Sequence, residues 1–193
     1  MGLSTNRVIS SMLILNLQEL DTQRVGRMGE LVVELELLAR GWMVGNFNAT
    51  TMNSAGWDLF ATKAGRSVKI RVKAKRPGTS CFTWSRKRNG RVFDLIDGDS
   101  TDYVAAVSFE PCGLPGVYVL PAVTVEHELL SSSAAWLAGE KPGGGQRKDT
   151  SVLRVHIDGR ADAPGHGYAQ RWAEYLGAWG VLENGEHIHS TAS

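Results

Sequence analysis

Three side chains in the first half of the chain are suited to one chemistry. Glu30 lies in a helical stretch, Asp58 opens a hairpin, and Lys73 lies on its returning strand. A pair of carboxylates offers the hard oxygens that Mg²⁺ takes while keeping its waters. A lysine beside them can steady a water or offset charge developing on a phosphate. A carboxylate on a helix, a carboxylate at a hairpin and a lysine on the return is an arrangement for metal-dependent phosphodiester hydrolysis. One residue breaks the pattern. Arg71 stands two positions before Lys73, where an oxygen acceptor is expected, and arginine offers none.

The elements that must position these groups follow from periodicity and capping. Asp21 or Thr22 caps a helix running to about Arg40, and Gly41 stops it. Met28, Leu31, Val32, Leu35, Leu38 and Ala39 form its broad apolar face, with Glu30 and Glu34 opposite, flanked by Val33 and Leu37. A helix apolar nearly all round is expected to be packed on both sides. Glu30 is then partly buried and needs a cation or a proton; the other reading is a Glu30/Glu34 pair on a wet edge. Trp42 to Asn46 reads as a short strand and Asn46 to Gly56 as a polar loop.

Trp57 to Thr62 and Ser67 to Lys75 form a hairpin around Lys63-Ala64-Gly65-Arg66. Loops of two or four residues both set Asp58 opposite Arg71, with Lys73 its diagonal neighbour; a three-residue loop shifts the register. Val68, Ile70, Val72 and Ala74 alternate with Lys69, Arg71, Lys73 and Lys75, so the first set is core and the second faces solvent or a cleft.

Further on, Asn89-Gly90 marks a hairpin turn, and Trp84 could stack on a base or simply pack. Strands are expected at Asp102 to Phe109, Gly116 to Pro121 and Ser151 to Ile157. Helices are expected from Val123 to Leu130, extending toward Leu137, and from Gly167 to Gly177, where Tyr168, Trp172, Tyr175 and Leu176 share a face. Gly139 to Lys148 reads as a flexible loop and the tail from Glu183 as disordered. Val8 to Leu20 reads as strand or helix. No repeat is present, so the economical architecture is one α/β domain over residues 1–182 with a central mixed sheet.

The bulk properties fit that architecture. The 193 residues are 42% hydrophobic and 21% charged, enough for one domain with a real core. No apolar run reaches membrane-spanning length and no cleavage-site pattern is present. Cys81 and Cys112 are too few for a disulfide framework or a zinc site, so a reducing cytoplasm is the expected setting. The histidines, at 127, 156, 166, 187 and 189, show no ligand spacing within an expected element. Net charge is only +1, yet eleven Lys/Arg and no Asp or Glu lie between Lys63 and Arg91. Such a block is either a footprint for a polyanion or a solvated surface.

As a set, Gly29-Glu30, Gly56-Trp57-Asp58-Leu59, Val68-Lys69-Ile70-Arg71-Val72-Lys73, Thr101-Asp102-Tyr103-Val104 and Val117 to Pro121 resemble the PD-(D/E)XK nuclease superfamily. The nearest branch holds Holliday-junction resolvases and an intron homing endonuclease of that fold, and the likeness covers residues 24–130. It implies a restriction-endonuclease-like sheet flanked by helices, Glu30 and Asp58 as ligands to Mg²⁺ or Mn²⁺, and Lys73 as the catalytic lysine. It also implies DNA as substrate, contacted by Lys69, Arg71, Lys75, Arg76, Arg86, Lys87 and Arg88, with a homodimer possible. The family carries Glu, Asp or Gln where this chain has Arg71. Three outcomes are open: Arg71 closes the site on Asp58 and leaves a module that binds nucleic acid or a protein partner; Arg71 swings out to hold a phosphate; or Glu34 replaces the missing carboxylate.

Overall fold

A computed structural model describes residues 21–47, 56–95, 102–110, 114–160 and 163–184. The stretch Val8 to Leu20, most of the 46–56 loop, Cys112, and His187 and His189 lie outside these residues.

Helix α1 spans Thr22–Ala39. Asp21 caps it, its carboxylate accepting the Arg24 N–H at 2.8 Å. At the other end Gly41 takes a φ of +79°, and the N–H groups of Gly41 and Trp42 return to the carbonyls of Leu38 and Leu37. This double closure needs the left-handed residue that glycine supplies. The buried stripe is Val25, Gly29, Val33 and Leu37, with Met28 and Val32 packed at its edge. This corrects the expected face: Leu31, Leu35 and Leu38 are exposed, Leu35 by 65%. Gly29 accounts for the difference. A Cβ there would lie 2.7 Å from the Ala74 Cβ, so only glycine lets the helix approach the sheet this closely along this stripe. Among the described residues one side of the helix is packed, not both.

The central sheet has the order β1-β2-β3-β5-β6. Its strands are β1 (Met43–Asn46), β2 (Leu59–Lys63), β3 (Arg66–Lys75), β5 (Asp102–Ser108) and β6 (Gly116–Pro121). β3 and β5 are parallel; the other neighbours are antiparallel. The sheet is therefore mixed, as expected. The β2–β3 hairpin closes through Ala64 and Gly65, both at positive φ (49° and 80°), the pair a type I′ turn demands. Asn89-Gly90 makes the expected tight turn, with Gly90 N–H donating to Lys87 O and Lys87 N–H to Arg91 O, but strand β4 (Cys81–Ser85) does not pair across it. It pairs across the chain with β7 (Val152–His156) in a separate two-stranded sheet.

Two apolar cores sandwich the central sheet. One packs α1 against Leu59, Ile70 and Val119, with Trp179, Val181 and Leu182 arriving from the C-terminal end. The other holds Phe82, Trp84, Leu153 and Val155 of the small sheet, together with α2 (Ala122–Ala138) and Tyr168 and Trp172. The expected 167–177 helix is broken into α3 (Tyr168–Arg171) and a 3₁₀ turn (Ala173–Tyr175), and Leu176 is exposed. Glu183 belongs to a last turn, α4 (Val181–Asn184), and pairs with Lys63 at 2.6 Å. The 139–148 loop is closed by a bridge between Glu140 and Gln146 rather than open.

Candidate active-site cleft

The hairpin register puts Leu59 opposite Ile70, which continues to Asp58 opposite Arg71 as the loop length requires. The ladder ends there. Asp58 still donates its N–H to Ile70 O, but its carboxylate takes over the strand's next donor, the Val72 N–H, at 2.7 Å. A side-chain oxygen thus replaces main-chain pairing where the two strands part. Asp58 is only 7% exposed, and its other carboxylate oxygen accepts from Arg71 Nη1 at 3.3 Å.

Glu30 is brought to the same place by the close seating of Gly29 on β3. It accepts from Arg27 Nη1 at 2.8 Å and from Asn46 Nδ2 at 3.3 Å. Glu30, Asp58, Arg71, Lys73, Lys75 and Arg76 line one open cleft of ≈ 690 Å³. Glu34 is not among its lining residues, so the replacement-carboxylate alternative finds no support. Burial, and then the Arg71 guanidinium, hold the Lys73 ammonium below its ordinary pKa, while Asp58 pulls the other way. Two carboxylate groups and a lysine in one cleft fit a hard divalent cation by donor type. Arg71 is the competitor for Asp58, but its side chain is 36% exposed and has room to leave.

The basic block looks different in three dimensions. Seven of its eleven cations meet carboxylates from outside the run: Lys63 with Glu183, Lys69 with Asp102, Arg71 with Asp58, Lys75 with Glu110, Arg86 with Asp149, Lys87 with Asp94 and Arg91 with Glu126. Lys69 also lies 5.0 Å over the Trp57 ring, and Lys75 is buried. Arg76 donates to Thr22 Oγ1. Lys73, Arg76 and Arg88 have no carboxylate partner among the described residues. Trp84 is buried in the second core and cannot stack on a base.

Two polar sites escaped the sequence reading. Glu126, 6% exposed on α2, accepts the Val92 N–H at 2.7 Å and lies 3.3 Å from Arg91 Nη2. His156, Asp158 and His166 bring their ligand atoms within 4.8 Å of one another. A His-x-Asp pair at a strand end was the available signal, but the second histidine is eight residues further on and joined only by tertiary folding.

The architecture is that of an α/β domain, a mixed five-stranded sheet flanked by helices. In particular the chain is similar to a bacterial homing endonuclease, I-Ssp6803I, with a TM-score of 0.50 and 21% identity over 86% of this chain and 95% of that chain. The likeness is one of fold. No protein-family model and no curated protein matches the sequence. No helix among the described residues is long and apolar enough to cross a membrane.

Proposed function

We propose that this protein is a DNA endonuclease of the PD-(D/E)XK kind, hydrolysing phosphodiester bonds with Mg²⁺ or Mn²⁺. The observation that carries the reading is the convergence of Glu30, Asp58 and Lys73, from a helix, a hairpin opening and a strand, on one open cleft. Glu30 and Asp58 would hold the ion, which when bound supplies an activated water and offsets phosphate charge. The Lys73 ammonium sits beside them to stabilise charge on the phosphate. Arg71 turns from Asp58 to a phosphate oxygen as DNA enters, a bidentate partner its planar fork suits. Arg76 and Arg88 bind backbone phosphates directly. Lys69, Arg86 and Lys87 bind by exchanging a carboxylate for a phosphate, which costs least at the exposed Lys87–Asp94 pair; Lys75, expected as a contact, is buried against Glu110 and does not reach the DNA backbone.

The Arg71–Asp58 contact favours a second reading, a catalytically silent module that keeps the fold and binds nucleic acid or a protein partner. Titration calorimetry with Mg²⁺ and Mn²⁺, run beside plasmid cleavage on the natural chain, Asp58→Ala and Arg71→Gln, separates the two. The nuclease reading expects metal binding and cleavage in the natural chain, both lost in Asp58→Ala. Neither activity in the natural chain, with metal binding regained in Arg71→Gln, would establish the silent module.

A further inference from the structure

We infer that His156, Asp158 and His166 form a second divalent-cation site, selective for Zn²⁺-class ions and separate from the cleft. Its frame is rigid. His156 ends β7, and its N–H donates to Gly165 O at 2.7 Å. Asp158 Oδ1 accepts the Gly167 N–H at 3.1 Å and the Arg160 N–H at 3.3 Å, which brings Gly167 back beside the strand end. Gly165, at φ +81°, permits the return: a Cβ there would meet Arg154 O at 3.1 Å.

The donors are two imidazoles and one carboxylate, all partly buried, with ligand atoms within 4.8 Å of one another. Two nitrogens and an oxygen suit Zn²⁺, Co²⁺ or Ni²⁺, whereas Mg²⁺ prefers oxygen alone. Nδ1 of His166 lies 2.8 Å from Asp158 Oδ2, so these two atoms can serve as neighbouring ligands of one ion. The two rings stack at 4.1 Å and 11°. Coordination needs them to turn about the last side-chain torsion, which for histidine is broad and shallow. Both histidines line a cavity of ≈ 140 Å³, which gives the rings space to turn. The present cation is Arg160, 3.2 Å from both Asp158 Oδ2 and His166 Nδ1 and 69% exposed, so it leaves at little cost.

The test is calorimetric titration of the full chain with Zn²⁺, repeated with Co²⁺ by visible absorption. With excess Mg²⁺ present to occupy the cleft, the expected result is one saturable equivalent, weakened at least tenfold in His166→Ala and in the shape-conserving Asp158→Asn. Arg160→Ala should bind more tightly, an effect a purely structural role for the cluster does not produce. The double variant His187→Ala/His189→Ala should bind at this site as the natural chain does. The inference is overturned by the absence of saturable Zn²⁺ binding, by equal binding in His166→Ala and Asp158→Asn, or by binding that disappears with the two tail histidines.

Discussion

Asp58 and Glu126 are built alike and placed differently. Each is a nearly buried carboxylate, each accepts a strand or loop N–H at 2.7 Å, and each lies 3.3 Å from an arginine close in sequence to that donor. Glu126 sits in the packed layer where α2 meets Val92 and Phe93. Asp58 opens on a cleft that also holds Glu30 and Lys73. An arginine on a buried carboxylate is therefore not by itself the mark of a closed active site, since the same motif serves as a structural clasp elsewhere in the molecule. The neighbours decide. Around Asp58 there is a second carboxylate group, a lysine held below its ordinary pKa, and open volume.

Breaking each carboxylate should separate the roles. Glu126→Ala leaves the Val92 and Phe93 N–H groups and Arg91 without their buried acceptor. Denaturant unfolding should show a loss of about 3–5 kcal/mol with metal binding retained. Asp58→Ala opens onto a cleft that water can enter, so the loss should be about 1–3 kcal/mol, together with loss of Mg²⁺ binding and cleavage. Gly29→Val tests what brings Glu30 to the cleft. Overpacking against Ala74 should cost about 1–3 kcal/mol and weaken Mg²⁺ binding with no ligand changed. Arg71→Gln removes the competitor and restores an oxygen. Mg²⁺ affinity should rise about tenfold, or about 1.4 kcal/mol, by calorimetry.

The smallest effect concerns Lys73. Its pKa in the folded protein lies below the ordinary 10.5, so between those two values the unfolded chain binds more protons. Stability of the natural chain should rise with pH across that window and fall as pH drops through the folded value. Thermal unfolding of Lys73→Met should lack that slope and lie above the natural chain at neutral pH.

Much of the site was legible because its spacing is local. The hairpin's loop length sets Asp58 against Arg71 by counting, and the alternation of β3 assigns Lys73 to the same face; both follow from the two-residue period of a strand. The cap at Asp21 and the stop at Gly41 were legible for the same reason, since each is decided within one helical turn. The face of α1 was not, because two apolar stripes compete along it. The choice is made by Gly29 meeting Ala74, forty-five residues away.

The basic block shows the same division. Its cations are a property of the sequence, but their neutralisation by Asp102, Glu110, Asp149 and Glu126 depends on strands and helices that only the assembled fold brings alongside. The clasp on Glu126 and the His156–Asp158–His166 group also arise from long-range packing. Sequence alone determined the bounds of α1, the hairpin register and the types of chemistry available, because those depend on near neighbours and short periods. The tertiary structure decided which charges are spent on each other and which helix face is buried, because contacts between distant segments carry no period in the chain.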